Sequence, residues 1–312
     1  MNEFELIALV TRRLATNDAV RVGPGDDCAV LDLGVPEQWV LFKTDAVVEG
    51  IHFTREAAPE QIGHKALARC LSDFAAMAGT PSAALVTLAL PRDYDVKFVE
   101  AIYAGMNKLA RRHHVAIVGG ETTTNPERLL LSLAVIGTVP RERCVLRSGA
   151  KPGDAIFVTG SLGGSLHGRH LDFEPRLAEA RWLAEHFPIH AMIDLSDGLA
   201  GDLRHLLNAA NVGADLLQDA IPISREAKLH AREHSSAKAP LAAALSDGED
   251  FELLFTLASR DAVPLHDAWK KKFPDVKLSC IGKITSAAGL RLRTRKGTQP
   301  VTEHGYVHFE KS

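Results

Sequence analysis

Apolar positions along the chain fall into two repeating patterns, and these predict its elements. Phe4, Leu6, Ile7, Val10 and Leu14 recur at helical spacing, so the chain is expected to open with an amphipathic helix. Runs at 29–33 and 39–43 read as strands, and the second leads into Thr44-Asp45, a polar step expected at a strand's end. Sheet proteins tend to expose functional side chains at such places. Pro59 starts a helix with Ile62, Ala66, Leu67, Cys70, Leu71 and Phe74 on one apolar face and Asp73 in its last turn. There follow a strand at 83–90, a long helix at 96–113, a short buried strand at 115–118 and another strand at 129–138. That order mixes both element types, which predicts α+β or mixed α/β rather than a purely parallel sheet. The turn-rich, basic stretch 147–154 precedes a fresh strand at 155–159 and divides a domain at 1–148 from one at 149–312. The second domain reads as helices at 175–187 and up to Leu207, with strands at 253–256, 278–284 and 290–294.

Composition narrows the function classes. A chain of 312 residues accommodates two domains of ordinary size. A formal charge of -3 makes no electrostatic case for nucleic acid or a membrane surface. No apolar run approaches the roughly 18–20 residues of a membrane span. The acidic start, Met1 to Glu5, lacks the basic segment of a secretory signal. Cys28, Cys70, Cys144 and Cys280 are scattered without a Cys-x-x-Cys pair, as expected of reduced core residues in a cytoplasmic protein.

The candidate chemistry lies in the acids. Gly23-Pro24-Gly25-Asp26-Asp27-Cys28-Ala29-Val30 places two adjacent carboxylates at the exit of a turn, where they repel unless a cation or donors offset the charge. Asp73 opposes the negative end of its helix dipole. The run Gly119-Gly120-Glu121 puts an acid after two glycines, which let a backbone approach a ligand closely. In Asp194-Leu195-Ser196-Asp197-Gly198, Ser196 or Asp197 passes as a helix N-cap, which leaves Asp194 unexplained. The stretch 246–252 is the most acid-dense. Gly160-Ser161-Leu162-Gly163-Gly164-Ser165 lacks both phosphate-loop and dinucleotide fingerprints and reads as a domain-entry turn. The alternation of Arg291, Arg293 and Arg295 reads as a solvated strand face. Singly, each acid has a bland account. Together they read as a carboxylate ring holding several hard divalent ions against phosphates, with a nucleotide triphosphate as natural partner.

The chain resembles the thiamine-monophosphate kinases, in the ATP-dependent superfamily typified by aminoimidazole-ribonucleotide synthetase. The resemblance is carried, in order, by Gly25 to Val30, Thr44-Asp45 with Glu49 to Phe53, Leu71 to Met77, Gly119 to Thr122, Arg147 to Asp154, Asp194 to Leu199, Gly248 to Leu253 and Gly305 to Phe309. It implies an aminoimidazole-ribonucleotide synthetase-like fold, with a mixed-sheet α/β N-terminal domain that dimerises through its sheet and an α+β C-terminal domain. ATP would lie in the cleft between them. It further implies several magnesium ions held by Asp27, Asp45, Asp73, Glu121 and Asp194, with Thr44 and Asp197 contributing. Tyr103, Gly120, Glu121, Arg147 and Ser196 would meet ATP. His52, Glu249 and Tyr306 would hold thiamine monophosphate. A phosphate monoester is already mostly a dianion near neutral pH, so direct in-line transfer needs no catalytic base and no phosphoenzyme. The chain departs from the family pattern at Glu121, where Asp is usual, and at Lys43, Cys70, Asp247 and Val307; its 164–175 segment is short. Those departures keep two alternatives open: a superfamily enzyme acting on another acceptor, and a catalytically silent nucleotide-binding protein.

Overall fold

The computed structural model describes residues 3–308. Its first half runs α1 (Glu3–Thr11), β1 (Val20–Val22), β2 (Ala29–Leu31), β3 (Gln38–Val48), α2 (Pro59–Ala76), β4 (Thr80–Leu90), α3 (Val96–Arg112), β5 (Ala116–Thr124) and β6 (Leu130–Pro140). The strands form one sheet in the order β1-β2-β3-β6-β4-β5, in which only β4 and β5 pair in parallel, across the α3 crossover. Period-2 alternation buries Leu131, Leu133, Val135 and Val139 of β6 on the inner face, where α2 packs.

The second half runs β7 (Asp154–Thr159), α4 (Leu177–His186), β8 (Ile189–Asp194), α5 (Leu199–Ala210), β9 (Gly213–Leu217), α6 (Arg225–Glu233), α7 (Pro240–Ser246), β10 (Leu253–Ala258), α8 (Ala262–Lys272), β11 (Leu278–Thr285), β12 (Gly289–Thr294) and β13 (Gly297–Pro300). A seven-stranded sheet results, ordered β13-β12-β9-β11-β7-β10-β8 and antiparallel except where β12 joins β9. One face, with Ile156, Val158, Ile193 and Leu254, packs against Leu199, Leu203 and Leu206 of α5. The other, with Phe157, Met192 and Phe255, joins Leu183 of α4, Trp269 of α8 and the buried side of α2 in a single core that runs between both sheets. Helix α2 is thus enclosed by β3 and β6, α3, α4 and β8. That explains why it is buried nearly all round, its polar residues Lys65, Ser72 and Asp73 included.

Several expectations are corrected. The opening helix ends at Thr11, short of Leu14, and buries none of its residues. Strand β3 continues to Val48, so Thr44-Asp45 lies within the strand and not at its end. Strand β5 runs through Gly119-Gly120-Glu121, and as an edge strand it is exposed, not buried. Asp194 closes β8 and is separated from α5 by the 195–198 turn. Strands β1, β8, β9 and β13 lie outside the runs expected from periodicity.

Two glycines set the position of α2. A Cβ on Gly63 would lie 1.9 Å from the Ile102 carbonyl of α3, and one on Gly105 1.9 Å from the Glu60 carbonyl of α2. The helices therefore touch backbone to backbone. Gly105→Ala should destabilise the protein by about 3 kcal/mol or more, read as a lower denaturant midpoint, because the obstructing atoms are backbone and cannot repack. Gly153→Ala, where nothing lies within 4 Å, tests the same side chain against its positive φ alone and should cost less.

Candidate active site

Three carboxylates meet beside α2. Asp27, Asp73 and Asp194 are buried, and each offers an oxygen within 4.8 Å of the others. The Arg147 guanidinium clasps Asp27, with Nη2 at 2.5 Å from Oδ1 and Nε at 3.3 Å from Oδ2. Its backbone N–H donates to Asp26 at 3.2 Å. Ser72 Oγ donates to Asp194 Oδ2 at 2.6 Å. Burial, then the nearby Asp27 charge, pushes Asp194 up to about 6; burial and Asp27 do the same to Asp26. Burial also drives Asp73 upward, against the opposing Lys43 ammonium. Buried, mutually repelling oxygens with no nitrogen or sulfur donor suit a hard divalent cation, so the residues fit magnesium.

Beside them is a charge pairing between strand and helix. Lys43 and Asp45 lie two apart on the inner face of β3; Arg69 and Asp73 lie four apart on α2. Lys43 Nζ meets Asp73 Oδ1 at 2.8 Å, and Arg69 meets both Asp45 oxygens at 3.0 and 3.3 Å. Two strand residues span about 6.6 Å and four helical residues about 6.0 Å, so both pairs form in register. Lys43 is held charged well above the usual lysine range; burial works against this, and Asp73 and Asp45 outweigh it.

A pocket of about 130 Å³ adjoins these groups, lined in part by His52, Arg69, Ser196, Asp197, Glu249 and Tyr306. Its walls are two loops zipped together: Glu249 N–H donates to Ser196 O at 2.7 Å and Phe251 N–H to Leu195 O at 2.8 Å. Glu249 and Phe251 both adopt left-handed backbone, with φ of 54° and 50°. Such strain costs of order 1–3 kcal/mol per residue. The two backbone bonds, and Phe251 stacking on Phe173 at 4.0 Å, hold the loop in place. Of the acids at 247–252, Asp250 and Glu252 are bound to Arg169 and Arg176. Asp250 and Asp247 also take the Gly163 and Gly164 amides, and the Gly160 amide donates to the Lys277 carbonyl, so the glycines of 160–165 form a tethered turn whose glycine amides are all engaged. Neither Ser196 nor Asp197 caps α5. Buried Asp202 accepts from the Asp197 and Gly198 amides instead, and both residues remain free to line the pocket.

Glu249 is held near 2 despite burial by His170, Lys65 and Arg69. Lys65 Nζ, fully buried, meets Glu249 at 2.6 Å, the His52 carbonyl at 2.5 Å and His170 at 2.7 Å; burial pulls it down to about 8. His52 Nδ1 accepts from Val48 N–H at 3.1 Å, and burial lowers its pKa to about 4. The neutral ring therefore carries its proton on Nε2. Tyr306 is half-exposed, and its N–H is fixed to the Asp197 carbonyl at 2.9 Å.

Not every expected residue joins this constellation. Thr44 and Glu121 lie on the outer face of the first sheet, in rows with Leu85 and Thr87. Gly120 faces inward, but its missing Cβ accommodates the Val86 carbonyl of β4, which a Cβ would approach to 1.8 Å. Tyr103 is on α3 beside the Gly63 crossing, about 15 Å along α2 from Asp73. Phe309 of the closing motif lies outside the described residues. A larger cavity of about 540 Å³, lined by Phe53, Tyr94 and Phe98, contains none of the clustered carboxylates; chemistry, not size, locates the site. Lys65, Arg69, Ser72, His170 and Asp202 were not singled out from the sequence. The first three, with Asp73, form a polar stripe at 65, 69, 72 and 73 of α2, a helical spacing that would have revealed them.

The two sheets and the carboxylates between them define a nucleotide-dependent protein of the aminoimidazole-ribonucleotide (AIR) synthetase class. Residues 25–139 match the AIR synthase related protein, N-terminal domain. The thiamine-monophosphate kinase of Rhodopirellula baltica is 40% identical over 99% of this chain and 98% of its own, and that of Bacillus subtilis 34% over 99% and 100%. The solved structure of AaThiL complexed with AMPPCP and TMP is 30% identical, with a TM-score of 0.83 over 99% of this chain and 97% of that one. The chain belongs to the thiamine-monophosphate kinase family.

An unfolded aspartate titrates near 3.8 and Asp194 here near 6, so the penalty for its charge is absent below pH 4 and complete above pH 6. Asp194→Asn should therefore stabilise the metal-free protein at pH 7.5, by up to roughly 3 kcal/mol, and change little at pH 4. Thermal melts at the two pH values check this. A variant that is less stable than wild type at pH 7.5 contradicts it.

Proposed function

We infer that this protein phosphorylates thiamine monophosphate with ATP, forming thiamine diphosphate. The observation that carries the reading is the adjacency of the Asp27–Asp73–Asp194 cluster to a pocket whose polar groups suit a phosphorylated organic cation. Asp27, Asp73 and Asp194 would hold magnesium, with Asp45 and Asp197 at the margin; the ion supplies charge neutralisation to the polyphosphate. Arg147 and Ser196 contact the nucleotide at the junction of the two domains, 1–148 and 149–312. His52, neutral and donating through Nε2, orients the acceptor phosphate. Ionised Glu249 and the Tyr306 ring face the thiazolium cation. The acceptor oxygen is already deprotonated, so positioning suffices for direct in-line transfer.

We also propose a cytoplasmic homodimer. Phe42, Leu85, Val118 and Ile136 are 47%, 48%, 62% and 41% exposed on one face and edge of the first sheet, an apolar patch that a second copy would cover. Thr44 and Glu121 share that sheet face, so their ion and ATP contacts would be made across the interface. Leu85→Glu should halve the sedimenting mass; an unchanged mass would remove this surface from the interface.

The activity is tested by incubating the protein with ATP, Mg²⁺ and thiamine monophosphate and measuring thiamine diphosphate, with turnover expected. Tyr306→Ala should raise KM for thiamine monophosphate about tenfold and leave KM for ATP nearly unchanged, as expected for loss of one cation–aromatic contact. Equal changes in both would take Tyr306 out of the acceptor site.

A further inference from the structure

Three of the carboxylates grouped by sequence as metal ligands have a cation of the chain beside them: Asp27 has Arg147, which contacts the nucleotide in the proposed function, Asp45 has Arg69 and Asp73 has Lys43. Both Asp45 oxygens are engaged by Arg69, and Oδ1 also accepts the Ala46 amide at 2.8 Å. Asp73 gives Oδ1 to Lys43 and has only its other oxygen unpaired. Asp45 is accordingly absent from the group that converges to within 4.8 Å. The cations are not loose surface chains, since the Lys43 and Arg69 side chains are 23% and 16% exposed. Each lies in a register fixed by β3 or α2, and the matched spacing of strand and helix makes the two pairs mutually consistent. An ion entering between Asp45 and Asp73 would have to displace both cations from partly desolvated pairs, leaving Lys43 without its hydrogen-bonded carboxylate and Arg69 with only its 3.5 Å contact to Glu249.

We propose that the Lys43 ammonium and the Arg69 guanidinium together stand in for one divalent cation at this site. Two fixed single charges supply the positive charge of one magnesium ion at the Asp45–Asp73 edge, and free metal is bound only at the Asp27–Asp73–Asp194 cluster and on the nucleotide. The inference rests on the reading of the site as an ATP site. It makes Lys43 and Arg69 positioning residues that set how many ions accompany the nucleotide.

The test counts ions. Mn²⁺ bound per chain in the presence of AMPPCP is measured by electron paramagnetic resonance for wild type, Lys43→Met, Arg69→Met, the double variant and the charge-retaining Lys43→Arg. The double variant should bind one more Mn²⁺ per chain than wild type, and its AMPPCP affinity should depend more steeply on free Mn²⁺ by one ion. Each single Met variant should bind the added ion at least tenfold more tightly than wild type, which keeps the test available if the double variant does not fold. Lys43→Arg should keep the wild-type count. Equal counts and affinities in wild type and Met variants, with AMPPCP bound throughout, overturn the substitution of fixed charge for metal. Failure of wild type to bind AMPPCP at any Mn²⁺ concentration instead contradicts the nucleotide site, and this inference with it.

Discussion

Mutual repulsion among buried carboxylates is the constraint around which the molecule is arranged. Asp27, Asp73 and Asp194 come from a turn, a helix end and a strand end, and no local structure requires them to meet. They converge because α2 is clamped between the two sheets, with its register against α3 fixed by the Gly63–Gly105 crossing. Without compensation such a cluster would be relieved by protonation or by opening of the structure. Arg147, Lys43 and Ser72 offset part of the charge, and the remainder is what a divalent cation and a polyphosphate would balance.

The same helix organises the adjoining pocket. Lys65 and Arg69, two turns and one turn before Ser72-Asp73, hold Glu249 ionised from below, and Lys65 also fixes the His52 carbonyl. One rigid element thereby sets the distance between the cluster and the groups facing an acceptor. The strained Glu249–Phe251 backbone is tolerated because the 195–196 loop supplies its hydrogen bonds. Asp202 takes over the capping work, which frees Ser196 and Asp197 for the pocket. Loops here are rigid through backbone pairing, and side chains stay available for chemistry.

Much of this was legible in the chain. The acids at 27, 45, 73 and 194 stand out as a set, although each alone has a bland local account, and the apolar face of α2 is evident from its spacing. What was hidden depends on tertiary partners. Nothing local says that Lys65 is fully buried, since lysines are ordinarily outside and only the distant Glu249 and His170 make its burial tolerable. Strand β3 seemed to stop before Thr44 because a polar pair interrupts its apolar run; Asp45 continues the inner face only because Arg69 waits opposite. Glu121 was grouped with the other acids by chemistry, and strand register alone shows it on the far face. The apolar residues of α1 gave a helix, yet periodicity could not say that none of them would be buried.

The central claim is that Asp27, Asp73 and Asp194 act as one cation-binding unit at a nucleotide site. The most direct measurement is the anomalous scattering of crystals grown with Mn²⁺ and AMPPCP. The account requires a peak within about 2–2.5 Å of oxygens from all three residues, with the nucleotide phosphates beside it. Nucleotide bound with no peak at these three carboxylates, or a metal seated elsewhere, would contradict it.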